Sequence, residues 1–206
     1  MLGLLEQAGH IIVDDVSEAD VLIINTCAVK EPTQIKVLHR IAKLRDKPLI
    51  ISGCLPKIDL ESIEHVAPGY CAVLDPQSIH HIPSIVEHVN QTRRNLKYFS
   101  DRPPEKPTLP KKRLNPYVEI VQIAEGCLGN CSYCCARHAR GRLHSFPERS
   151  IVERVRNAVS NGAKEIWITA QDTGAYGLDR ETNLTELLEN LVKINGDFRI
   201  RIGMMN

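Results

Sequence analysis

The first part of the chain, up to about residue 92, alternates short apolar runs with segments of helical periodicity. The apolar runs predict four strands, at residues 11–13, 21–24, 49–51 and 71–74. The periodic segments predict helices that begin near Leu2 and span residues 31–45, 59–66 and 79–89. Because strands that alternate with helices form parallel sheets with helices on both faces, this part is predicted to be an α/β domain.

The last part of the chain repeats the same alternation from Tyr117 onwards. Strands are predicted at residues 118–123, 165–170 and 198–202, and helices at residues 149–160 and 184–192. Three such repeats do not close a β/α barrel, which takes about 250 residues. The sequence therefore predicts a partial barrel over residues 117–206, and we expect a truncated chain.

Residues 93–116 are predicted to link the domains 1–92 and 117–206. The segment holds five prolines, which disfavour helix and central strand, and its Lys and Arg residues outnumber its Asp and Glu residues. Two interpretations stay open. The segment is a solvated basic linker, or it is a stiff basic surface suited to a phosphate backbone.

Composition indicates a cytoplasmic protein that does not enter a membrane. The formal net charge is +1, and no apolar run approaches the ~18–20 residues of a membrane helix. Met1 leads directly into a leucine-rich helical pattern with no basic segment before it, so we expect no signal peptide. The seven cysteines are clustered and odd in number, which favours metal or redox chemistry over a disulfide framework.

The segment from Gly126 to Cys134 carries three of these cysteines, with the spacing C-x3-C-x2-C. Iron–sulfur clusters are held by cysteine thiolates, usually four, so three thiolates leave one iron open for chemistry. A structural zinc site and plain buried cysteines are the alternatives, but the second cysteine pair typical of zinc sites is absent from this neighbourhood. Cys135 is predicted not to be a ligand, because its side chain should diverge from that of Cys134.

Two further cysteines follow predicted strands. Cys27 comes just after strand 21–24 and Cys54 just after strand 49–51, so both are expected at the carboxyl rim of the sheet, where ligands bind. The alternative is that each is simply a buried thiol. Cys71 opens a strand at the opposite rim and is predicted to be part of the core.

The cysteine loop, with Tyr133 before its last cysteine and Ala-Arg-Gly at 139–141, resembles the radical S-adenosylmethionine (SAM) enzymes. Within them the whole chain is similar to the methylthiotransferases, and the Gln-Asp-Thr segment that starts at Gln171 resembles their archaeal and eukaryotic branch. The other segments that carry the resemblance are Asn25-Thr26-Cys27-Ala28-Val29-Lys30, Gly53-Cys54-Leu55-Pro56 and Arg201-Ile202-Gly203-Met204-Met205-Asn206.

This resemblance implies a function. Cys127, Cys131 and Cys134 would hold a [4Fe–4S] cluster whose open iron chelates SAM, which is cleaved to a 5′-deoxyadenosyl radical. Tyr133 is expected near the SAM adenine and Gln171 near its methionine end. The substrate implied is N6-threonylcarbamoyladenosine beside the tRNA anticodon, methylthiolated at C2.

The resemblance also implies a second [4Fe–4S] cluster, which delivers sulfur and has Cys27 and Cys54 among its ligands. A sulfur source and an electron donor are then needed as partners. The implied architecture is a parallel-sheet amino-terminal methylthiotransferase domain followed by a truncated radical SAM (β/α) partial barrel. A further cysteine ahead of Leu2 and a carboxyl-terminal RNA-binding domain belong to the family pattern, so the chain is expected to lack both ends.

Two other functions remain as alternatives. One is a ribosomal-protein methylthiotransferase, which would share the Gln-Asp-Thr segment but differ after Asn25-Thr26-Cys27. The other is a catalytically inactive fragment that binds a cluster or RNA.

Overall fold

The computed structural model describes residues 1–28, 30–92 and 95–205, and for residues 90–92 it describes the backbone only. Val29, Arg93, Arg94 and Asn206, which belong to segments discussed above, lie outside the described residues. The chain forms two compact units. Unit 1 comprises Met1–Pro104 and Cys131–Arg140, and unit 2 comprises Glu105–Asn130 and Gly141–Asn206. The boundaries at residues 92 and 117 stay a prediction.

Unit 1 is built on a parallel sheet of four strands, which lie side by side in chain order. They are β1 (Leu22–Thr26), β2 (Leu49–Gly53), β3 (Ala72–Leu74) and β4 (Leu96–Tyr98). The helices are α1 (Leu2–Gln7), α2 (Glu31–Leu44), α3 (Leu55–Ile58), α4 (Leu60–Val66), α5 (Ile82–Thr92), which follows a 3₁₀ turn at Pro76–His81, and α6 (Ala136–Arg140).

Both faces of this sheet are covered, as the sequence predicts. Along β2, Leu49 and Ile51 belong to the apolar core that includes α2 and α4, whereas Ile50 belongs to the core that includes α1 and α5. Side chains alternate between the faces of a strand, so a continuous apolar run fits a strand buried on both sides. The predicted α/β class is thereby confirmed.

Residues 11–13 do not form the predicted strand. Ile11 is 88% exposed, and the segment lines a groove of about 620 Å³ that Val21, Leu22 and Ile23 also line. A strand needs a neighbour for its backbone hydrogen bonds, and the segment pairs with no strand of the described residues. The strand predicted from this apolar run was wrong, because no strand of the described residues pairs with the segment.

The sheet instead gains a strand inside the predicted linker. β4 pairs with β3 in parallel, with Leu96 opposite Ala72 and Tyr98 opposite Leu74. The strand stands at the edge of the sheet, next to the proline-rich residues that follow it. Edge strands are short and tolerate flanking proline, which explains why an apolar pattern did not reveal it.

A buried aspartate fastens the end of β3 to the rest of unit 1. The Asp75 side chain is fully buried and accepts hydrogen bonds from the backbone N–H of Ser78 at 2.9 Å and of Ser100 at 3.0 Å. Its third partner is the Lys57 ammonium, 3.1 Å away. Lys57 also donates to the Ser100 carbonyl, so one carboxylate joins three segments.

We expect Asp75→Ala to lower the free energy of unfolding by about 3 kcal/mol, because it leaves a largely buried ammonium and two backbone donors without their acceptor. Urea unfolding of the purified chain measures this change. The matched control is Asp197→Ala, which removes an ion pair with Lys164 whose partners are both exposed, and which should have little effect. Equal losses from the two variants would contradict the prediction.

Unit 2 contains a second parallel sheet, formed by β5 (Val118–Gln122), β8 (Glu165–Thr169) and β9 (Arg199–Ile202) in that order. A short antiparallel pair of strands, β6 (Ala124–Glu125) and β7 (His144–Ser145), comes after β5 in the chain and was not predicted. The helices α7 (Glu148–Ser160) and α8 (Leu184–Val192) cover the sheet through a core that includes Ile151, Val155, Leu187 and Leu191. This order matches the predicted β/α repeats.

Several cations of the predicted basic linker are held inside unit 2. The Lys106 ammonium lies 2.6 Å from a carboxylate oxygen of the fully buried Glu125, and Lys111 lies 2.9 Å from the buried Glu119. Arg113 donates to the Asn161 carbonyl at 2.7 Å. These contacts pair three basic residues of the segment with acceptors of unit 2, and both interpretations of the segment stay predictions.

Among the described residues, no helix has the length and apolar character required to cross a membrane.

Candidate functional site

Cys27 and Cys54 lie next to each other at one rim of the unit 1 sheet. In the parallel β1–β2 pair, Thr26 stands opposite Gly53, and each cysteine is the next residue of its strand segment. Neighbouring strands are about 4.8 Å apart, so the two backbones enter the rim side by side. Cys54 is buried and Cys27 is exposed, which leaves one thiol inside the rim and one at its surface.

Thr26 holds this rim in shape. Its carbonyl accepts the Cys54 N–H at 3.3 Å, and its hydroxyl donates to the Ser52 carbonyl at 2.7 Å while accepting the Leu55 N–H at 3.2 Å. Gly53 has a φ of 104°, and a Cβ there would lie 2.3 Å from the Thr26 oxygen. Only glycine fits such a close approach. Ligation by Cys27 and Cys54 stays a prediction.

Cys71 is placed as predicted, away from this rim. It precedes β3 at the amino end of the strand, is 3% exposed, and packs with Ile50 and Leu74 in the core shared with α5. It therefore offers a natural internal control for experiments on the other thiols.

The first half of the cysteine loop belongs to unit 2. Gly126 adopts a φ of 76°, and its N–H donates to the Gln171 side-chain oxygen at 2.8 Å. The Cys127 N–H donates to the Gly141 carbonyl at 3.3 Å, which ties the start of the loop to the residue that follows α6. The Gly129 N–H donates to the Cys127 sulfur at 3.3 Å.

The second half of the loop belongs to unit 1. The Cys134 N–H donates to the Cys131 carbonyl at 3.1 Å, which forms a tight turn, and Cys131 is exposed while Cys134 is partly exposed. Tyr133 is 89% exposed. A hydrogen bond to the Cys131 side chain, followed by the charge on Cys131, raises the pKa of Tyr133. An exposed ring of this kind is available to a ligand, and its contact with SAM stays a prediction.

Gln171 has a structural contact that the sequence did not reveal. Its side-chain oxygen accepts the Gly126 N–H, so Gln171 supports the start of the cysteine loop from the end of β8. The following residues also connect to the last segment of the chain, because the Thr173 hydroxyl donates to the Gly203 carbonyl at 2.9 Å and the Thr173 N–H donates to the Met204 carbonyl at 2.9 Å. Two segments that carry the family resemblance thus contact each other. A role for Gln171 in binding SAM stays a prediction.

Cys135 has a long-range contact that the sequence did not reveal, and its prediction as a non-ligand stays a prediction. Its thiol donates a hydrogen bond to the Ala28 carbonyl at 3.0 Å, so it lies beside the residue that follows Cys27. Burial raises the pKa of Cys135, and the charges of Cys134, Cys54 and Cys27 raise it further. No short-range signal in the sequence connects residue 135 with the β1 rim.

The metal-binding side chains of the described residues do not include three that converge tightly enough to hold a single ion. Ligands of an iron–sulfur cluster bind different irons, so they need not approach each other as closely as the ligands of one zinc ion. The free thiols of Cys127, Cys131 and Cys134 supply the donor chemistry that such a cluster requires.

Comparison with known proteins matches residues 1–75 to the uncharacterized protein family UPF0004 and residues 121–204 to the Radical SAM superfamily. The chain is 40% identical over 212 residues to a probable threonylcarbamoyladenosine tRNA methylthiotransferase of Methanothermobacter thermautotrophicus, a match that covers 100% of the chain and 49% of that protein. It is 35% identical to the threonylcarbamoyladenosine tRNA methylthiotransferase of Danio rerio and 34% identical to that of Homo sapiens, covering 39% and 37% of those proteins.

The chain thus spans about half the length of the archaeal relative that it matches. The radical SAM match contains all three cysteines of the loop, and the UPF0004 match contains Cys27 and Cys54. The family resemblance predicted from the cysteine motifs is confirmed. The chain belongs to the radical SAM superfamily and carries a UPF0004 segment ahead of its radical SAM segment.

Proposed function

We propose that the protein containing this chain adds a methylthio group to C2 of N6-threonylcarbamoyladenosine in tRNA, next to the anticodon. The observation that carries the proposal is similarity over the entire chain to proteins named for this activity, together with an intact Cys127, Cys131 and Cys134 motif. The substrate is tRNA, and the expected place of action is the cytoplasm.

Cys127, Cys131 and Cys134 would hold a [4Fe–4S] cluster that also binds SAM. When bound, this pair supplies one-electron chemistry, which an aromatic C–H requires because it offers no acidic proton to a general base. The exposure of Cys131 and the partial exposure of Cys127 and Cys134 leave the thiols accessible to iron.

The chain's own residues orient this loop. Gln171 accepts a hydrogen bond from the Gly126 N–H, and the Gly129 N–H donates to the Cys127 sulfur, so both sides of Cys127 have a fixed backbone contact. Hydrogen bonds donated by the backbone N–H groups of Cys127 and Cys134 hold the backbone at two of the three cysteines. Such preorganisation lowers the entropy lost when the loop closes around a ligand.

We further propose that Cys27 and Cys54 hold a second iron–sulfur cluster, which delivers the sulfur of the methylthio group. Support comes from their adjacent positions at the carboxyl rim of a parallel sheet, where ligands of such sheets bind. This function requires an electron donor and a sulfur source as partners.

The test is mass spectrometry of tRNA nucleosides from a strain in which the gene is deleted. We expect the methylthiolated nucleoside to disappear and unmodified N6-threonylcarbamoyladenosine to accumulate, with recovery when the full-length gene is restored. An unchanged nucleoside profile with loss of a methylthio group from a ribosomal protein would assign the alternative substrate. An unchanged profile with neither loss would favour an inactive protein.

A further inference from the structure

The turn that follows β3 contains a buried glutamine whose side chain holds α6. Gln77 is 1% exposed, and its amide nitrogen donates to the Ala139 carbonyl at 3.3 Å and to the Arg140 carbonyl at 3.0 Å. Only the nitrogen end of the amide can donate to a carbonyl, so the chemistry fixes the orientation of the side chain. Gln77 and Ala139 are 62 residues apart, so the contact joins two distant segments of unit 1.

The two carbonyls lie where a helix leaves such groups without a partner. The helix α6 has only five residues, and the last four carbonyls of a helix have no N–H of their own helix to accept. Ala139 is fully buried in the core that also contains Cys54 and Leu55, so water does not replace the missing donor. Gln77 supplies that donor and thereby fastens the end of α6.

The backbone of Gln77 is itself held in place. Gln77 belongs to the 3₁₀ turn Pro76–His81, which begins where the buried Asp75 side chain accepts the Ser78 N–H at 2.9 Å. The same carboxylate pairs with Lys57 of α3 at 3.1 Å. The turn is therefore fixed relative to β3 and α3, and the Gln77 amide fixes the end of α6 relative to both.

The start of α6 adjoins the cysteine loop. Cys134 is two residues before the helix, and the Cys135 carbonyl accepts the N–H groups of His138 at 3.0 Å and Ala139 at 3.4 Å. The first turn of the helix therefore forms directly after Cys134. A displacement of α6 would displace the backbone that carries the Cys134 thiol.

The end of α6 leads to a second contact of the loop. Arg140, whose carbonyl accepts from Gln77, precedes Gly141, and the Gly141 carbonyl accepts the Cys127 N–H at 3.3 Å. The residue that Gln77 fastens is thus covalently next to the residue that supports Cys127. At both cysteines Gln77 acts through the backbone.

We propose that Gln77 is a positioning residue for the SAM-binding cluster, because it fixes α6 and with it the backbone at Cys134 and Cys127. This inference rests on the cluster proposed above and adds to it a residue outside the radical SAM match at residues 121–204. Partners that orient metal ligands typically contribute about 10- to 100-fold to metal affinity. Gln77 acts one step farther away, so we expect an effect near the lower value.

The first measurement uses the iron-free full-length protein and compares Gln77→Met with Gln34→Met. Methionine keeps the length of the side chain and removes the donor. Gln34 is the matched control, because its amide nitrogen donates to the Asp59 carboxylate at 2.7 Å and joins α2 to the start of α4. We expect hydrogen exchange at the N–H groups of His138 and Ala139 to be about tenfold faster in Gln77→Met and unchanged in Gln34→Met.

The second measurement follows the cluster, in full-length protein with Cys27 and Cys54 changed to alanine so that only the loop cluster can form. After anaerobic reconstitution an iron chelator is added, and the rate of iron loss is measured. We expect iron loss to be about tenfold faster in Gln77→Met than in the background protein, and unchanged in Gln34→Met. The electron paramagnetic resonance signal of the reduced cluster with SAM should broaden in Gln77→Met alone, since a loosely held loop binds the cluster in more than one arrangement.

Two outcomes overturn the inference, and both differ from a failure of the cluster. Faster exchange in α6 with unchanged iron loss and an unchanged resonance signal would make Gln77 a support of the fold and nothing more. Unchanged exchange would show that its hydrogen bonds do not hold α6. If the background protein itself binds no iron, the SAM-binding cluster proposed above fails, and the inference fails with it.

A second variant, Gln77→Asn, covers the case in which Gln77→Met does not fold, as judged by urea unfolding. Asparagine keeps the amide but is one methylene shorter, so it weakens the two hydrogen bonds instead of removing both donors. Exchange in α6 and iron loss should both be faster in this variant than in the background protein. Equal rates would overturn the inference.

Discussion

Cys131→Ala is expected to abolish SAM cleavage and tRNA modification and to remove the SAM-binding cluster. The three thiolates of the loop are the minimum that holds such a cluster with one open iron, and the variant leaves two. Residues that merely support a metal ligand contribute about 10- to 100-fold to affinity or activity, so the loss of a ligand should exceed about 100-fold. Because Cys131 is exposed, its truncation opens no cavity in the core.

The measurement is the yield of 5′-deoxyadenosine from SAM, together with bound iron, after anaerobic reconstitution of the full-length protein. Ser132→Ala is the matched control, since Ser132 is also exposed, is the next residue of the loop and supplies no thiol. We expect the control to keep wild-type iron and product. Wild-type iron and product in Cys131→Ala would refute the assignment of this loop.

The second large effect is expected from Gly126→Ala. Gly126 has a φ of 76°, and a Cβ at this position would lie 2.0 Å from the Arg142 carbonyl oxygen. Backbone atoms on both sides have to shift, so the variant combines a strained conformation with a steric clash. We expect it to lower the free energy of unfolding by about 3 kcal/mol or more and to reduce cluster binding.

Gly141→Ala separates these two causes. Gly141 has nearly the same φ, 79°, but a Cβ there meets nothing within 4 Å. It should therefore cost only the conformational strain, about 1 kcal/mol. Urea unfolding of both variants measures the difference, and losses of similar size would show that the close approach to Arg142 is unimportant.

The strands of unit 1 were largely predictable because a strand buried on both faces is a continuous apolar run, as at 49–51. The same rule failed at residues 11–13, since an apolar run does not reveal whether a neighbouring strand is there to pair with. β4 was missed for the opposite reason. Its three residues, Leu96–Tyr98, are too few to show a pattern and are followed by prolines, so the local sequence carries little strand signal.

For the candidate site, too, the sequence predicts features that lie within one segment or follow from strand order, and it misses contacts between distant segments. The Cys127, Cys131 and Cys134 motif is local, so its spacing and the family resemblance of its neighbours could be recognised within one short segment. The rim formed by Cys27 and Cys54 followed from the rule that parallel strands end on one side. The contact between Cys135 and Ala28 spans 107 residues of sequence, and no local pattern encodes a contact of that kind.

The buried ion pairs of the segment before β5 set where the radical SAM region can be cut for expression. A fragment starting at Tyr117 would remove Lys106 and Lys111, the cations paired with the buried carboxylates of Glu125 and Glu119. Glu125 directly precedes Gly126. A buried Glu125 carboxylate without its paired cation would therefore disturb the start of the cysteine loop. A fragment that begins at Glu105 is the longer of the two, but it keeps both lysines, and the residues that it adds belong to unit 2.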